Sequence, residues 1–205
     1  MSTVLSVHDL HHQYSSVHAL RGISFDLKQG ECVALIGPNG SGKTTTIRML
    51  LGLAEATSGS IFVLGNSIPY QIRQALPRVG ALVEGPAFYP YLSGRDNLAR
   101  FDSADSSADP KTRATRVQSA LERVGLTHAS EKKVHAYSLG MKQRLGIANA
   151  LLQPRQLLIL DEPTNHINFR HLPVIAAALN NYQGAMILVS HVPEFVEQIR
   201  IDEVL

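Results

Sequence analysis

The sequence predicts an α/β fold with a mainly parallel sheet core covered on both faces by helices. Three observations carry this. Short apolar runs of strand length alternate with helical patterns along most of the chain. Two of those runs, residues 31–36 and Leu157-Leu158-Ile159-Leu160, are continuously apolar, as strands buried on both faces are. A glycine-rich stretch, Gly37 to Gly42, joins the first of them to a helical pattern, the strand–loop–helix step from which parallel sheets are built.

The elements follow in order. Val4, Leu5 and Val7 mark a strand over residues 3–10, and Val17, Leu20, Ile23, Phe25 and Leu27 mark a second over 17–27, an N-terminal antiparallel pair. Lys28-Gln29-Gly30-Glu31 is a turn. The buried run 31–36 follows, then a helix from about Lys43 to Gly52 and short strands at 60–64 and 79–83. The pattern is helical from Ser93 to Gly125, and Asp102-Ser103-Ala104-Asp105-Ser106-Ser107-Ala108-Asp109-Pro110 reads as a polar, mobile loop interrupting it. Residues 138–152 form another helix, Leu157–Leu160 a buried strand, Ile175–Asn181 a helix, 185–190 a strand and 194–199 a last helix. The helical stretch 93–152 is expected to be a subdomain inserted between the glycine-rich loop and the later strands of one domain spanning 1–205.

Bulk properties narrow the function. With 205 residues the chain suits one domain, and 44% hydrophobic against 18% charged residues argues against disorder. A net charge of +2 gives no ground for direct contact with nucleic acid or an anionic lipid surface. No apolar stretch approaches the roughly 20 residues that cross a bilayer, and Met1-Ser2-Thr3-Val4 opens no secretory signal. Work at a membrane therefore requires a partner that supplies the spanning helices. Cys32 has no second cysteine to pair with, which fits a reducing compartment. His11 and His12, adjacent on a strand, point to opposite faces and are poorly placed to share a metal ion.

Chemistry concentrates at two places. Gly37-Pro38-Asn39-Gly40-Ser41-Gly42-Lys43-Thr44 is a complete G-x-x-x-x-G-K-[ST] phosphate loop, followed by Thr45. Its glycines let successive N–H groups converge on an anion, and the helix beginning at Lys43 points its positive end to the same spot. Lys43 is expected to reach the β- and γ-phosphates of ATP and Thr44 to ligand Mg²⁺. The second place is the end of the buried strand, Asp161-Glu162. Asp161 is placed to hold the magnesium shell and Glu162 to orient or deprotonate the attacking water.

With these residues in view, the chain resembles the ATP-binding cassette (ABC) family of P-loop NTPases over nearly its whole length. Tyr137-Ser138-Leu139-Gly140-Met141-Lys142-Gln143-Arg144-Leu145 is similar to the family's signature segment, with Ser138 and Gly140 on pattern, Leu139 where Gly is usual and Met141 where Gln is usual. Ser138 also suits the N-cap of the next helix. The resemblance implies that Ser138, Leu139, Gly140 and Met141 grip the γ-phosphate held by an opposite subunit. It implies that Tyr14 stacks on adenine and that His191, after strand 185–190, contacts the γ-phosphate. In Gly80–Tyr91 it implies a Q-loop with Glu84 in place of Gln, acting through water on Mg²⁺, as in bacterial cassettes that export bacitracin and lantibiotics. Phe88, Tyr89 and Tyr91 are either core aromatics or a groove for a partner's coupling helix.

The pattern departs in places. Asn168 stands where the family has an Asp linking two ATP sites, and it carries no charge. Residues 166–205, with Asn165-His166, Leu179–Ala185 and Val189-Ser190-His191, lean toward cassette ATPases that act on ribosomes, though Val192 stands where those have Asp. Ile201–Leu205 starts a strand where the family continues, so the chain reads as cut short or naturally short. The implied function is the ATP-hydrolysing subunit of a transporter, working as a homodimer or heterodimer of cassettes. It would be cytoplasmic and peripheral on the inner face of the membrane through a separate permease. The alternatives are a soluble ribosome-acting ATPase and a module that holds ATP with little hydrolysis.

Overall fold

A computed structural model describes residues 2–14, 17–85 and 87–205, with the main chain alone at Val17. Met1 of the N-terminal reading and Pro86 of the Q-loop segment lie outside the described residues.

Along the chain run β1 (Thr3–Tyr14), β2 (Val17–Lys28), β3 (Cys32–Leu35), α1 (Lys43–Leu50), β4 (Ser58–Val63), β5 (Asn66–Ile68), α2 (Ile72–Ala75) and β6 (Val79–Leu82). There follow α3 (Gly94–Ala104), α4 (Arg113–Arg123), α5 (Leu139–Ala150), β7 (Leu157–Asp161), α6 (Leu172–Asn180), β8 (Ala185–Val189), α7 (Pro193–Val196) and β9 (Glu203–Val204). Two sheets result, an antiparallel one in the order β2-β1-β4-β5 and a parallel one in the order β6-β7-β8-β3-β9.

The continuous apolar strands have a direct cause. Leu157, Ile159, Ile187 and Val189 face one way and join Val7, Ile61 and Ile47 in the layer holding the antiparallel sheet and α1. Leu158, Leu160, Met186 and Leu188 face the other way and join Leu121, Leu145 and Ile175 of α4, α5 and α6. With side chains alternating across the pleat, each face of the parallel sheet needs its own apolar set. Cys32 lies in the second layer, where burial first and the charge of Asp202 second push its thiol up to about 12.

Three sequence expectations change. The first strand runs on to Tyr14, because β1 bends through several irregularities of register while keeping its pairing with β2. β5 and α2, three and four residues long, have too few residues for periodicity to reveal. The segment expected to be a mobile loop from Asp102 onward is instead helical through Ala104. Asp102, 1% exposed, accepts hydrogen bonds from Arg113 Nε (2.9 Å), Arg116 Nε and Nη2 (both 2.8 Å) and Gln153 Nε2 (2.6 Å). Asp105 accepts from Arg155 Nη2 at 2.7 Å. These carboxylates read as loop residues because the arginines they pair with lie 11 to 50 positions further on.

Candidate nucleotide site

The order β7-β8-β3 sets three strand ends side by side, and the loops after them carry the candidate residues. The C-terminal edge of a parallel sheet is where such folds bind ligands. After β3 comes Gly37–Gly42. Gly42 adopts φ +92°, and a Cβ there would lie 2.6 Å from Leu20 Cδ2 and 2.7 Å from the Ala19 carbonyl, so only glycine fits. α1 then begins with no side chain capping its first turn, leaving those N–H groups to an anion. Lys43 folds back over the loop and donates to the carbonyls of Gly37 (2.7 Å) and Pro38 (2.9 Å) and more distantly to Ser41 Oγ (3.4 Å).

Thr44 Oγ1 donates to Asp161 Oδ2 at 2.9 Å, joining the glycine-rich loop to the end of β7. Asp161 is 8% exposed, and its Oδ1 is enclosed without a hydrogen-bond partner among the described residues. Burial pushes its carboxyl above the usual range. The Thr44 hydrogen bond opposes that shift, neighbouring Glu162 adds to it, and Lys43 and Arg48 oppose it. A hydroxyl beside a carboxylate with one unsatisfied oxygen is the oxygen donor set that magnesium takes.

Next to it, the Glu162 N–H donates to the Val189 carbonyl at 2.9 Å, so the residue after β7 sits beside the end of β8. This brings His191 into range. Glu162 Oε2 accepts from His191 Nδ1 at 2.7 Å and from the His191 backbone N–H at 3.3 Å. A proton on Nδ1 leaves Nε2 as the ring's acceptor nitrogen. Glu162 adopts φ +46°, an uncommon conformation for a side-chain-bearing residue, and Gln143 Nε2 of α5 braces its carbonyl at 3.1 Å.

Glu84 is held by Arg48, which lies one helical turn along α1 from Thr44. Sequence reading missed Arg48, although the i, i+4 spacing from Thr44 already puts it on the site's face of the helix. Tyr14 ends β1, 47% exposed, with its ring edge-on to His12. Ser138 caps α5, its Oγ accepting from the Met141 N–H at 3.2 Å. Leu139 is exposed and Met141 packs against the core. A Cβ on Gly140 would lie 2.5 Å from the His166 carbonyl, so the signature segment abuts the loop after Glu162. Asn168 caps the turn Phe169–His171 through its side-chain oxygen. Among the described residues no hydrogen bond joins Ser138–Met141 to Gly37–Thr44.

Comparison with known proteins adds to this geometry. Residues 20–165 match a family model described as ABC transporter. An uncharacterized ABC transporter ATP-binding protein of Bacillus subtilis (strain 168), YdbJ, is 46% identical over 165 residues, covering 80% of this chain and 52% of its own. The bacitracin transport ATP-binding protein BcrA of Bacillus licheniformis is 41% identical over 203 residues, 97% of this chain and 65% of its own. Covering 97% of this chain, that alignment takes in most of residues 166–205, whose pattern is mixed. The chain thus spans about half to two thirds of the length of these curated relatives. A solved structure titled as the ATP binding subunit of an ABC transporter superposes with a TM-score of 0.85 at 27% identity, covering 96% of this chain and 82% of that one.

Proposed function

The chain belongs to the ABC transporter family, and from that premise we propose that it binds MgATP and hydrolyses it to drive a membrane-spanning partner. The observation that carries the proposal is the Thr44–Asp161 hydrogen bond with the Glu162–His191 pair beside it. It sets the glycine-rich loop, the Asp161 carboxylate and Glu162 together at one sheet edge, which supports the roles proposed for them.

Each residue then has a role. The N–H groups from Gly37 to Thr45 cradle the phosphates, and Lys43 exchanges the Gly37 and Pro38 carbonyls for charged phosphate oxygens, which are stronger acceptors. Thr44 and Asp161 would hold magnesium, and Glu84, paired here with Arg48, would act on it through water. A bound magnesium ion neutralises charge on the transferred phosphoryl group. Glu162 takes the proton of the attacking water. His191 fixes the Glu162 carboxylate and turns Nε2 toward the γ-phosphate. Tyr14 stacks on the adenine. Ser138, Leu139, Gly140 and Met141 are proposed to serve the site of a second cassette, with Ser138 capping the helix that carries them.

One unit spanning 1–205, with a helical subdomain at 93–152, is the proposed organisation. The membrane work is proposed to fall to a separate permease; among the described residues no helix is long and apolar enough to cross a bilayer. Tyr91 and Tyr89, 77% and 47% exposed, are proposed to meet its coupling helix, whereas Phe88 packs edge-on to Phe101 at 5.9 Å. The chain then works at the inner face of the membrane. Likeness to the bacitracin transport protein favours export of a peptide antibiotic.

The test is ATP hydrolysis by the purified chain with Glu162→Gln beside it. Hydrolysis slowed by about 10²-fold or more, with ATP binding retained, is expected on losing a general base. Normal turnover in the variant removes Glu162 from the mechanism. Binding without hydrolysis by the unaltered chain sinks the hydrolytic reading.

A further inference from the structure

We infer that His12 is the positioning residue for the base platform, holding the ring of Tyr14 upright so that one side stays open to the purine. The inference rests on the reading of Tyr14 as the ring on which adenine stacks. His12 and Tyr14 lie two apart on β1, across an irregularity of register between His12 and Gln13, and their side chains still meet. Their rings meet at a centroid distance of 4.3 Å and an angle of 81°. Perpendicular contact is a preferred geometry for aromatic pairs, and each ring then sets the plane of the other. Tyr14 keeps about half of its surface exposed in this arrangement.

The face in question is the one turned to the phosphate loop. His12 stands opposite Leu20 in the β1–β2 register, so both side chains lie on the same side of the ribbon. Leu20 Cδ2 lies 2.6 Å from where a Cβ on Gly42 would be, against the end of the loop that leads into α1.

The hydrogen bonding of the strand's histidines separates His12 from the rest. His8 Nε2 meets Ser6 Oγ at 2.8 Å and His11 Nε2 meets Asp9 Oδ1 at 3.0 Å. Both ring nitrogens of His12 are enclosed and have no partner among the described residues. Burying polar nitrogens unpaired is unfavourable, so hydrogen bonding does not account for an imidazole here. Its contact with Tyr14 does.

Equilibrium binding of ATP and of inorganic tripolyphosphate, which has no base, separates this role from a structural one. His12→Leu should weaken ATP binding about threefold to tenfold, the range an aromatic pair is worth, and leave tripolyphosphate unchanged. His12→Phe keeps a perpendicular ring and should bind ATP as the unaltered chain does. His12→Leu added to Tyr14→Ala should cost nothing further. The inference is overturned if His12→Leu leaves ATP binding intact while Tyr14→Ala weakens it selectively. It is also overturned if His12→Leu weakens both ligands alike, or if Phe fails to rescue. If Tyr14→Ala itself leaves the ratio of the two affinities unchanged, the platform reading is wrong and the inference goes with it.

Discussion

Lys43 illustrates how much chemistry a single position carries. Its ammonium donates to two carbonyls of its own loop, so the loop holds a cation at the place where phosphates are expected. Lys43→Ala should abolish nucleotide binding or weaken it severely, measured by equilibrium dialysis with ATP; unchanged affinity would refute the phosphate-loop assignment. Positions of this kind are legible in sequence because the chemistry demands a residue type at a fixed spacing, as with Asp161 and Glu162 at a strand end. Arg48 and His12 are not, because their roles depend on Glu84 and on a bent strand whose register spacing alone does not reveal. Arg144 is a further case. It is 4% exposed, faces no carboxylate within ion-pair range among the described residues, and donates from Nη1 to the carbonyls of Val124 (3.0 Å) and Gly125 (3.1 Å). Those carbonyls end α4, where the helix dipole is negative and stands in for a counterion. Burial pulls its pKa down. Arg144→Met should strand one buried and one part-buried carbonyl and cost about 2–3 kcal/mol of stability in urea unfolding.

At the scale of elements, β3, β7 and β8 are legible because burial on both faces leaves an uninterrupted apolar run. The end of α3 is not. Asp102, Ser103 and Ala104 are small or polar and read as loop, yet Arg113, Arg116 and Gln153 converge on Asp102 and make its burial tolerable. Burial alone pushes the Asp102 carboxyl up, and the hydrogen bonds and charges of Arg116 and Arg113 together outweigh it, holding it below the usual carboxylate range. A folded-state value below the unfolded one contributes stability above the unfolded value, lost as pH falls through the folded one. Asp102→Asn should therefore cost about 3–5 kcal/mol at neutral pH, the usual penalty for breaking a buried ion pair. The gap between variant and unaltered chain should narrow as pH drops below about 3.9, the ordinary aspartate value. Urea midpoints at pH 7 and pH 3 check this, and a gap independent of pH would show that shape rather than charge holds the segment.

For the whole molecule, the sheet order brings the loops after β3, β7 and β8 to one edge, and the signature segment abuts the loop after β7. Ser138 caps α5, and Gly140 packs on the His166 carbonyl of its own chain. We propose that this segment acts on the phosphate loop of a second cassette. Sequence alone reveals both segments by their motifs, and their placement on the fold depends on the assembled sheet. Complementation follows from this. Lys43→Ala removes the phosphate loop and spares the signature; Ser138→Arg blocks the signature and spares the phosphate loop. Each variant alone should hydrolyse ATP at background, and an equal mixture should recover activity through composite sites, rising more than linearly with protein concentration as pairs form. If the mixture stays at background while each variant remains folded, the signature does not act across an interface. If Ser138→Arg alone keeps full activity, the turn it caps has no part in the reaction.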